Sequence, residues 1–111
     1  HSSLMKPAAE KLRVALAALE LAAPQIPVLN NVDVAVQQDA DAIRDALYRQ
    51  AFGAVRWVEC VRAIQAMGIG MLVECGPGKV LAGLTRRIDA SLGSAVVLDP
   101  ATLAETKGLL A

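Results

Sequence analysis

Aromatic residues are scarce in this chain: Trp, Tyr and Phe together make up only 3% of its 111 residues. Apolar residues as a whole nevertheless reach 55%, above the roughly 45–50% that is typical of globular proteins. The length allows one domain with a buried core and no more than one. The apolar excess favours a segment that packs against further protein over one that water surrounds on every side.

An excess of one charge sign is also missing, since Lys and Arg number 11 and Asp and Glu number 11. A chain without a basic surplus lacks the electric field that attracts nucleic acid or a membrane surface. Charged residues interrupt the apolar stretches well before the roughly 18 residues that a membrane helix needs. We therefore expect neither nucleic acid nor a membrane among the partners. No signal peptide precedes His1, although an excised N-terminus would hide one, and we expect a cytoplasmic location.

Cysteine is limited to Cys60 and Cys75, and their separation does not fit the spacing of metal ligands. We expect two buried free thiols rather than a disulfide, as is usual in the cytosol, and no metal site. Nothing basic precedes Cys75 nearby, so a small buried apolar side chain is a better interpretation of it than a nucleophile.

Apolar residues that recur at intervals of three and four predict five amphipathic helices. Asp39 and Asp99 are the expected N-caps of the second and fifth helices, and Gly53 and Gly68 are expected to end the second and third. Pro7 fits the first turn of the first helix, where a missing N–H costs little. The side chains expected to face the core are Leu4, Met5, Ala8, Leu12, Ala15, Leu16, Leu19, Ile43, Ala46, Leu47, Ala51, Trp57, Val58, Val61, Ile64, Met67, Val80, Leu81, Leu84, Ile88, Leu103, Leu109 and Leu110.

Three short apolar runs between these helices predict strands, at residues 26–29, 71–75 and 95–98. Their apolar character is continuous rather than alternating, which is typical of parallel strands covered on both faces. About three strands are too few for a complete doubly wound sheet. We therefore predict the C-terminal part of a larger α/β fold with a mostly parallel sheet and flanking helices.

The run Gly76-Pro77-Gly78-Lys79 follows an apolar strand and resembles a phosphate-binding loop only superficially. Val73 stands where the upstream glycine should be, and Val80 stands where Ser or Thr should follow the lysine. Two interpretations remain: a tight strand-to-helix turn, or a backbone segment near an active cleft, because open α/β sheets place their sites at strand C-terminal ends.

The only histidine, His1, is the residue type that carries protons in nucleophilic hydrolases and transferases. A histidine in this position is also what an affinity tag leaves behind. The 111 residues contain no Gly-x-Ser-x-Gly elbow, which is the usual home of the serine that such a histidine serves. The sequence therefore indicates half of an active site.

Several segments in order resemble the malonyl-CoA:acyl carrier protein transacylases, and together they cover nearly the whole chain. Each match is weak alone, but their combination is specific. Acyltransferase domains of polyketide and animal-type fatty acid synthases share a looser version. The matching segments are His1-Ser2-Ser3-Leu4-Met5-Lys6-Pro7-Ala8, Ile26-Pro27-Val28-Leu29-Asn30-Asn31-Val32-Asp33, Ala42-Ile43-Arg44-Asp45-Ala46-Leu47, Tyr48-Arg49-Gln50, Val55-Arg56-Trp57 and Glu74-Cys75-Gly76-Pro77-Gly78-Lys79-Val80-Leu81-Ala82-Gly83-Leu84-Thr85.

The resemblance implies a ping-pong transferase with a Ser–His dyad, acting in bacterial fatty acid synthesis. His1 matches the catalytic histidine, and Gln50 matches the position whose backbone carbonyl orients that histidine. The expected substrates are malonyl-CoA and the phosphopantetheinylated acyl carrier protein, with no further cofactor.

By the same resemblance, residues 1–111 are the C-terminal portion of the large catalytic subdomain. The nucleophile-bearing N-terminal part and the ferredoxin-like subdomain lie outside these residues, so we expect the chain alone to be inactive and to need that N-terminal segment as a partner. Two alternatives stay open: a segment of a polyketide synthase acyltransferase domain, or a non-catalytic binding or scaffolding remnant of the family.

Overall fold

The computed structural model describes all 111 residues, which form two compact units, His1–Ala63 and Ile64–Ala111. The first unit opens with a short 3₁₀ turn, and the third helix begins in the first unit and ends in the second. The elements in chain order are α1 (Lys6–Ala17), β1 (Leu29–Asn30), β2 (Ala35–Val36), α2 (Ala40–Gln50), α3 (Trp57–Ala66), β3 (Met71–Cys75), α4 (Val80–Ile88), β4 (Gly93–Val97) and α5 (Pro100–Leu110).

In the first unit, α1 packs against α2. The buried residues Ala9 on α1 and Ala46 on α2 are small, which lets two helices approach closely. Pro7 lies in the first turn of α1, and the Asp39 side chain accepts a hydrogen bond from Ala42 N at 3.0 Å, so both predicted helix starts are confirmed.

A short antiparallel hairpin lies between these two helices in the chain. Leu29 pairs with Val36 and Asn30 pairs with Ala35, and residues 31–34 form the hairpin loop. The predicted strand at residues 26–29 is therefore wrong except for Leu29, and β2 was not predicted. Pro27 explains the difference, because it has no N–H to donate to a strand ladder.

In the second unit, β3 and β4 pair in parallel, from Met71 opposite Gly93 to Cys75 opposite Val97. Helix α4 connects them and packs on both strands, and α5 packs on β4. The predicted α/β class and the strand at residues 71–75 are confirmed, and β4 begins two residues earlier than predicted. A single parallel sheet of about three strands is wrong, because the third candidate belongs to the antiparallel hairpin.

Side chains and glycines set the ends of the helices. Gly68 ends α3 with a φ of 87°, which a residue with a Cβ rarely adopts. Asp99 caps α5 in a reciprocal arrangement: its side chain accepts from Thr102 N at 2.8 Å, and Thr102 Oγ1 accepts from Asp99 N at 3.0 Å. Helix α4 is capped from a strand instead, since Ala82 N donates to Glu74 Oε2 at 2.8 Å.

The predicted inward faces of the helices are only partly correct. Leu16 and Val61 are buried as expected, but α4 buries Ala82 and Thr85, and α5 buries Thr106. Small and hydroxyl-bearing residues lie against the neighbouring elements, and the larger apolar side chains lie on other helix faces. Those expected to be buried but found exposed are Leu4, Met5, Leu12, Leu19, Leu47, Val58, Met67, Val80, Leu81, Leu103, Leu109 and Leu110.

Both cysteines are free thiols, as predicted, and Cys60 is buried. Cys75 is exposed, so its predicted burial is wrong; it is the last residue of β3. None of the helices combines the length and the apolar character that crossing a membrane requires.

Candidate active site

The structure brings the two residues of the predicted site together. His1 Nδ1 lies 2.9 Å from the main-chain oxygen of Gln50, 49 residues later in the chain. A carbonyl oxygen can only accept a hydrogen bond, so Nδ1 carries the proton in this contact. The neutral ring then keeps a free lone pair on Nε2, on the exposed side chain, which is the arrangement that a general base needs. The catalytic role of both residues stays a prediction.

The acceptor carbonyl is available because of its place in the fold. Gln50 is the last residue of α2, and the last four carbonyl groups of a helix have no partner within it. The carbonyl end of a helix also carries a partial negative charge, which favours a cation beside it. A carbonyl in this position is therefore suited to orient a neutral imidazole and to stabilise an imidazolium.

An ion pair joins the end of α2 to the hairpin loop. Arg49 Nη1 and Nη2 donate to Asp33 Oδ1 and Oδ2 at 2.7 and 2.8 Å, a two-pronged pairing that fits the planar guanidinium. The hydrogen bonds from Arg49 hold the pKa of Asp33 below its ordinary value, although partial burial opposes this shift. The pKa of Arg49 is raised by its hydrogen bonds to Asp33 and Asp45, with burial opposing.

Asp45 binds the same guanidinium from a different direction. Its Oδ2 accepts from Arg49 Nε at 2.8 Å, and the two residues are one turn apart on the same helix. The Asp45–Arg49 pair thus lies within α2, whereas the Asp33–Arg49 pair connects α2 to the hairpin.

Gln50 is also tied to the hairpin loop by its side chain. Asn31 N donates to Gln50 Oε1 at 3.3 Å, and Arg56 N donates to the Asn31 carbonyl at 3.0 Å. The side-chain oxygen of Asn31 is buried without a hydrogen-bond partner. The residue that presents the carbonyl to His1 is therefore held at its side chain as well as through its neighbour Arg49.

The hairpin loop has a defined conformation of its own. Asn30 Oδ1 accepts from Asp33 N at 2.8 Å, and Asn30 Nδ2 donates to the Ala35 carbonyl at 3.0 Å. Val34 has a φ of 56°, a strained value for a β-branched residue. These contacts fix where the Asp33 carboxylate stands.

Side chains also connect α1, which follows His1, to α2. Tyr48 Oη donates to Glu10 Oε1 at 2.6 Å, and this hydrogen bond lowers the pKa of Glu10 and raises that of Tyr48. Arg44 Nε and Nη2 donate to the carbonyls of Leu16 and Leu19 at 3.1 and 2.6 Å, at the end of α1. The guanidinium groups of Arg44 and Arg49 are thus both engaged in contacts within the protein.

The Gly-Pro-Gly-Lys segment connects β3 to α4, as the turn interpretation predicted. Gly76 has a φ of 141°, which favours glycine. No group of three or more His, Cys, Asp or Glu side chains in the chain is arranged to hold a metal ion.

Asp33 and Arg49 were not singled out as a pair from the sequence. Both lie inside segments that carry the family resemblance, but they are 16 residues apart and neither spacing nor composition links them. The only available signal was their position beside the Asn-Asn turn and beside Gln50.

No protein-family profile matches the chain. Among curated proteins, the malonyl CoA-acyl carrier protein transacylase of Salmonella typhimurium strain LT2 is 52% identical over 103 residues, 93% of this chain and 33% of that protein. The solved acyl-carrier-protein S-malonyltransferase from Burkholderia pseudomallei 1710b has a TM-score of 0.88 and 60% identity, over 96% of this chain and 34% of its own. A malonyl-transacylase solved in complex with a type II polyketide acyl carrier protein has a TM-score of 0.87 and 54% identity, over 94% of this chain and 34% of its own.

The α/β fold and these matches make the chain similar to a part of known acyltransferases. Within that class, the chain is a relative of the malonyl CoA-acyl carrier protein transacylases and corresponds to about a third of their length.

Proposed function

We propose that this chain supplies the histidine half of a malonyl-CoA:acyl carrier protein transacylase active site. In this proposal, residues 1–111 are the C-terminal portion of the large catalytic subdomain, and the nucleophilic serine belongs to an N-terminal segment outside them. One observation carries the proposal: the Gln50 carbonyl accepts from His1 Nδ1 at 2.9 Å and so leaves Nε2 free as a base. The chain matches a transacylase over 93% of its length, which supports the same interpretation.

The proposed chemistry moves one proton back and forth through His1 in two half-reactions. His1 Nε2 takes the serine proton as the serine oxygen attacks the thioester carbonyl of malonyl-CoA, and it returns that proton to the departing CoA thiolate. Malonyl is then held on serine as an ester. In the second half-reaction, His1 takes the proton of the phosphopantetheine thiol, the sulfur attacks the ester, and the proton goes back to serine.

In this proposal the Gln50 carbonyl takes the place of the carboxylate that orients the histidine of a catalytic triad. A neutral carbonyl stabilises the imidazolium less than a carboxylate does, but it fixes the tautomer equally well. The position of the Gln50 carbonyl at the end of α2 adds the partial charge of the helix terminus, whose effect is roughly 0.3–1 kcal/mol. In this proposal the Gln50 carbonyl fixes the orientation of the His1 ring and stabilises its protonated form only modestly.

The partners in this proposal are malonyl-CoA, an acyl carrier protein and the N-terminal segment, with no additional cofactor and no nucleic acid or membrane. The proposed setting is fatty acid synthesis in the cytoplasm. The 17 large apolar side chains that are exposed in this structure support an apolar protein partner such as that segment.

A second candidate is a segment of a polyketide synthase acyltransferase domain. One matching malonyl-transacylase was solved with a type II polyketide acyl carrier protein, which supports a role in polyketide synthesis. The adjoining coding sequence separates the two candidates, because ketosynthase-like or carrier-like neighbours in the same polypeptide indicate a multidomain synthase.

The test is a chimera in which these 111 residues replace the matching third of the Salmonella typhimurium transacylase. Transfer of radiolabelled malonyl from malonyl-CoA to acyl carrier protein is measured. We expect activity from the chimera and a loss of at least about 10²-fold from His1→Ala, the lower range for a positioned general base. Asp41→Asn is the control, because Asp41 is exposed and pairs only with Arg44 on its own helix.

Near-normal transfer by the His1→Ala chimera rejects the assignment of the base. A folded chimera that cannot transfer malonyl even with His1 present favours the third possibility, a binding or scaffolding remnant without catalysis.

A further inference from the structure

We propose that Asp33 is a positioning residue for the His1 base. It acts through Arg49, which precedes the residue whose carbonyl holds the imidazole. The inference rests on the proposed function and assigns a role to a residue that does not itself touch His1.

The first step is the geometry of the Asp33–Arg49 pair. Two parallel hydrogen bonds of 2.7 and 2.8 Å fix both the distance and the plane of the guanidinium, which one hydrogen bond does not. Both side chains are half-buried, so water screens the pair less than a fully exposed one. The pair therefore joins the end of α2 firmly to the hairpin loop.

The second step leads from Arg49 to the Gln50 carbonyl. The Arg49 carbonyl oxygen accepts from Gly53 N at 2.8 Å, and Gln50 Oε1 accepts from Asn31 N at 3.3 Å. The backbone of residues 49 and 50 is thus held through the Arg49 side chain, the Arg49 carbonyl and the Gln50 side chain. Of these three connections, the one through the Arg49 side chain is an ion pair with two parallel hydrogen bonds to Asp33.

The third step is the placement of Asp33 itself. The backbone N–H of Asp33 donates to Asn30 Oδ1 at 2.8 Å. The next residue, Val34, has the strained φ of 56°. A strained backbone persists where the surrounding contacts determine the local structure strongly. The loop therefore holds the carboxylate at one position, to which the end of α2 is then fixed.

A comparison with Asp45 separates a positioning role of Asp33 from simple charge pairing with Arg49. It binds the same guanidinium at 2.8 Å, but from within α2, so it cannot tie the helix to the hairpin. Removing the Asp45 charge changes the pairing of Arg49 without releasing the end of the helix.

The experiment compares Asp33→Asn with Asp45→Asn in the active chimera described above. A displaced carbonyl weakens the orientation of His1, so for Asp33→Asn we expect kcat to fall about 10-fold, part of the ~10²-fold effect of a positioned base. The KM for malonyl-CoA should change less than twofold, because Asp33 does not contact substrate in this proposal. For Asp45→Asn we expect kcat within about twofold of the parent, as for most exposed helix pairs.

Two further readouts separate positioning from general loss of structure. In Asp33→Asn, the acidic limb of the pH dependence of kcat should move to lower pH, because the imidazolium loses part of its carbonyl stabilisation. The ¹⁵N spectrum of His1 should show a smaller fraction of the Nδ1–H tautomer. Asp33→Glu, which restores the carboxylate, should recover part of both properties.

Equal effects of Asp33→Asn and Asp45→Asn on kcat would overturn the inference. So would a lowered melting temperature with an unchanged pH profile and an unchanged tautomer, which is the signature of a merely structural ion pair. The proposed function is rejected separately, if the His1→Ala chimera keeps its transfer activity. If His1→Ala abolishes transfer but Asp33→Asn leaves kcat unchanged, only the positioning role is overturned.

Discussion

Gly53 lies directly against the carbonyl oxygen of Arg49. Its N–H donates to that oxygen at 2.8 Å, and a Cβ on Gly53 would stand 2.8 Å from the same oxygen. The same Cβ would also lie 2.8 Å from Cγ2 of Val32 in the hairpin loop. Position 53 thus has room for a hydrogen atom only, between the end of α2 and the hairpin.

Gly53→Ala should destabilise the protein by roughly 1–3 kcal/mol, because the neighbouring atoms that must move include backbone. It should also lower malonyl transfer in the chimera, since the displaced carbonyl belongs to the residue before Gln50. Urea unfolding and the transfer assay measure the two effects. Gly108→Ala is the matched control: nothing lies within 4 Å of a Cβ at that position in α5, and stability should rise by roughly 0.5–1 kcal/mol.

Gln50→Ala should reduce malonyl transfer less than His1→Ala does. The main-chain acceptor of His1 remains in the alanine variant, and only the hydrogen bond from Asn31 N to Gln50 Oε1 is lost. A loss as large as that of His1→Ala would show that the Gln50 side chain itself takes part in catalysis.

Ala51→Pro should cost more transfer than Gln50→Ala. Proline removes the N–H that Ala51 donates to the Tyr48 carbonyl at 3.3 Å, and it restricts the backbone of the preceding residue, Gln50. The steady-state kcat of the two chimeras, measured side by side, gives the comparison. Equal activity of the two variants would contradict an orienting role for the main chain at Gln50.

The stability contributed by Asp33 should disappear on acidification. Its pKa in the folded protein lies below the ordinary value of 3.8, so the unfolded state takes up its proton first as the pH falls. The contribution is complete above that ordinary value and is lost as the pH falls through the folded pKa. Urea unfolding between neutral pH and pH 2 should show a shallower decline for Asp33→Asn than for the parent; parallel declines would contradict the shift.

The two thiols should react at clearly different rates. Cys75 is exposed, whereas Cys60 is buried and burial raises the pKa of its thiol, which lowers the thiolate fraction at neutral pH. With a disulfide reagent such as 5,5′-dithiobis(2-nitrobenzoic acid), one thiol should react rapidly and the second only on unfolding. Cys75→Ser should abolish the rapid phase, and its persistence in that variant would place the reactive thiol at Cys60.

Features that depend on neighbouring residues in the chain were predicted well from the sequence. The Asp39 and Asp99 caps, the stop at Gly68 and the strand at residues 71–75 follow from local chemistry, and the structure contains all of them. The antiparallel hairpin was missed because its strands are only two residues long and show no periodicity.

Contacts between distant residues were not predictable in the same way. The proximity of His1 to Gln50 came from the family resemblance, since no local pattern links residues 49 positions apart. The inward faces of α4 and α5 were only partly predicted because apolar periodicity selected large aliphatic residues, whereas Thr85 and Thr106 are buried. Their hydroxyl groups bind the carbonyls of Leu81 and Val96, which makes their burial possible.

Because Arg44 anchors one end of α1, the length of this helix determines how far His1 lies from that anchor. Arg44 binds the carbonyls of Leu16 and Leu19 at one end of α1, and His1 meets Gln50 beyond the other end. One inserted residue would rotate the preceding part of the helix by about 100° and lengthen it by about 1.5 Å. Insertions and deletions within α1 should therefore be absent from active relatives, while the stretch from residue 20 to residue 28, which has no helix or strand, should vary in length. The position of the His1 imidazole thus depends on the number of residues in α1 as much as on their identity.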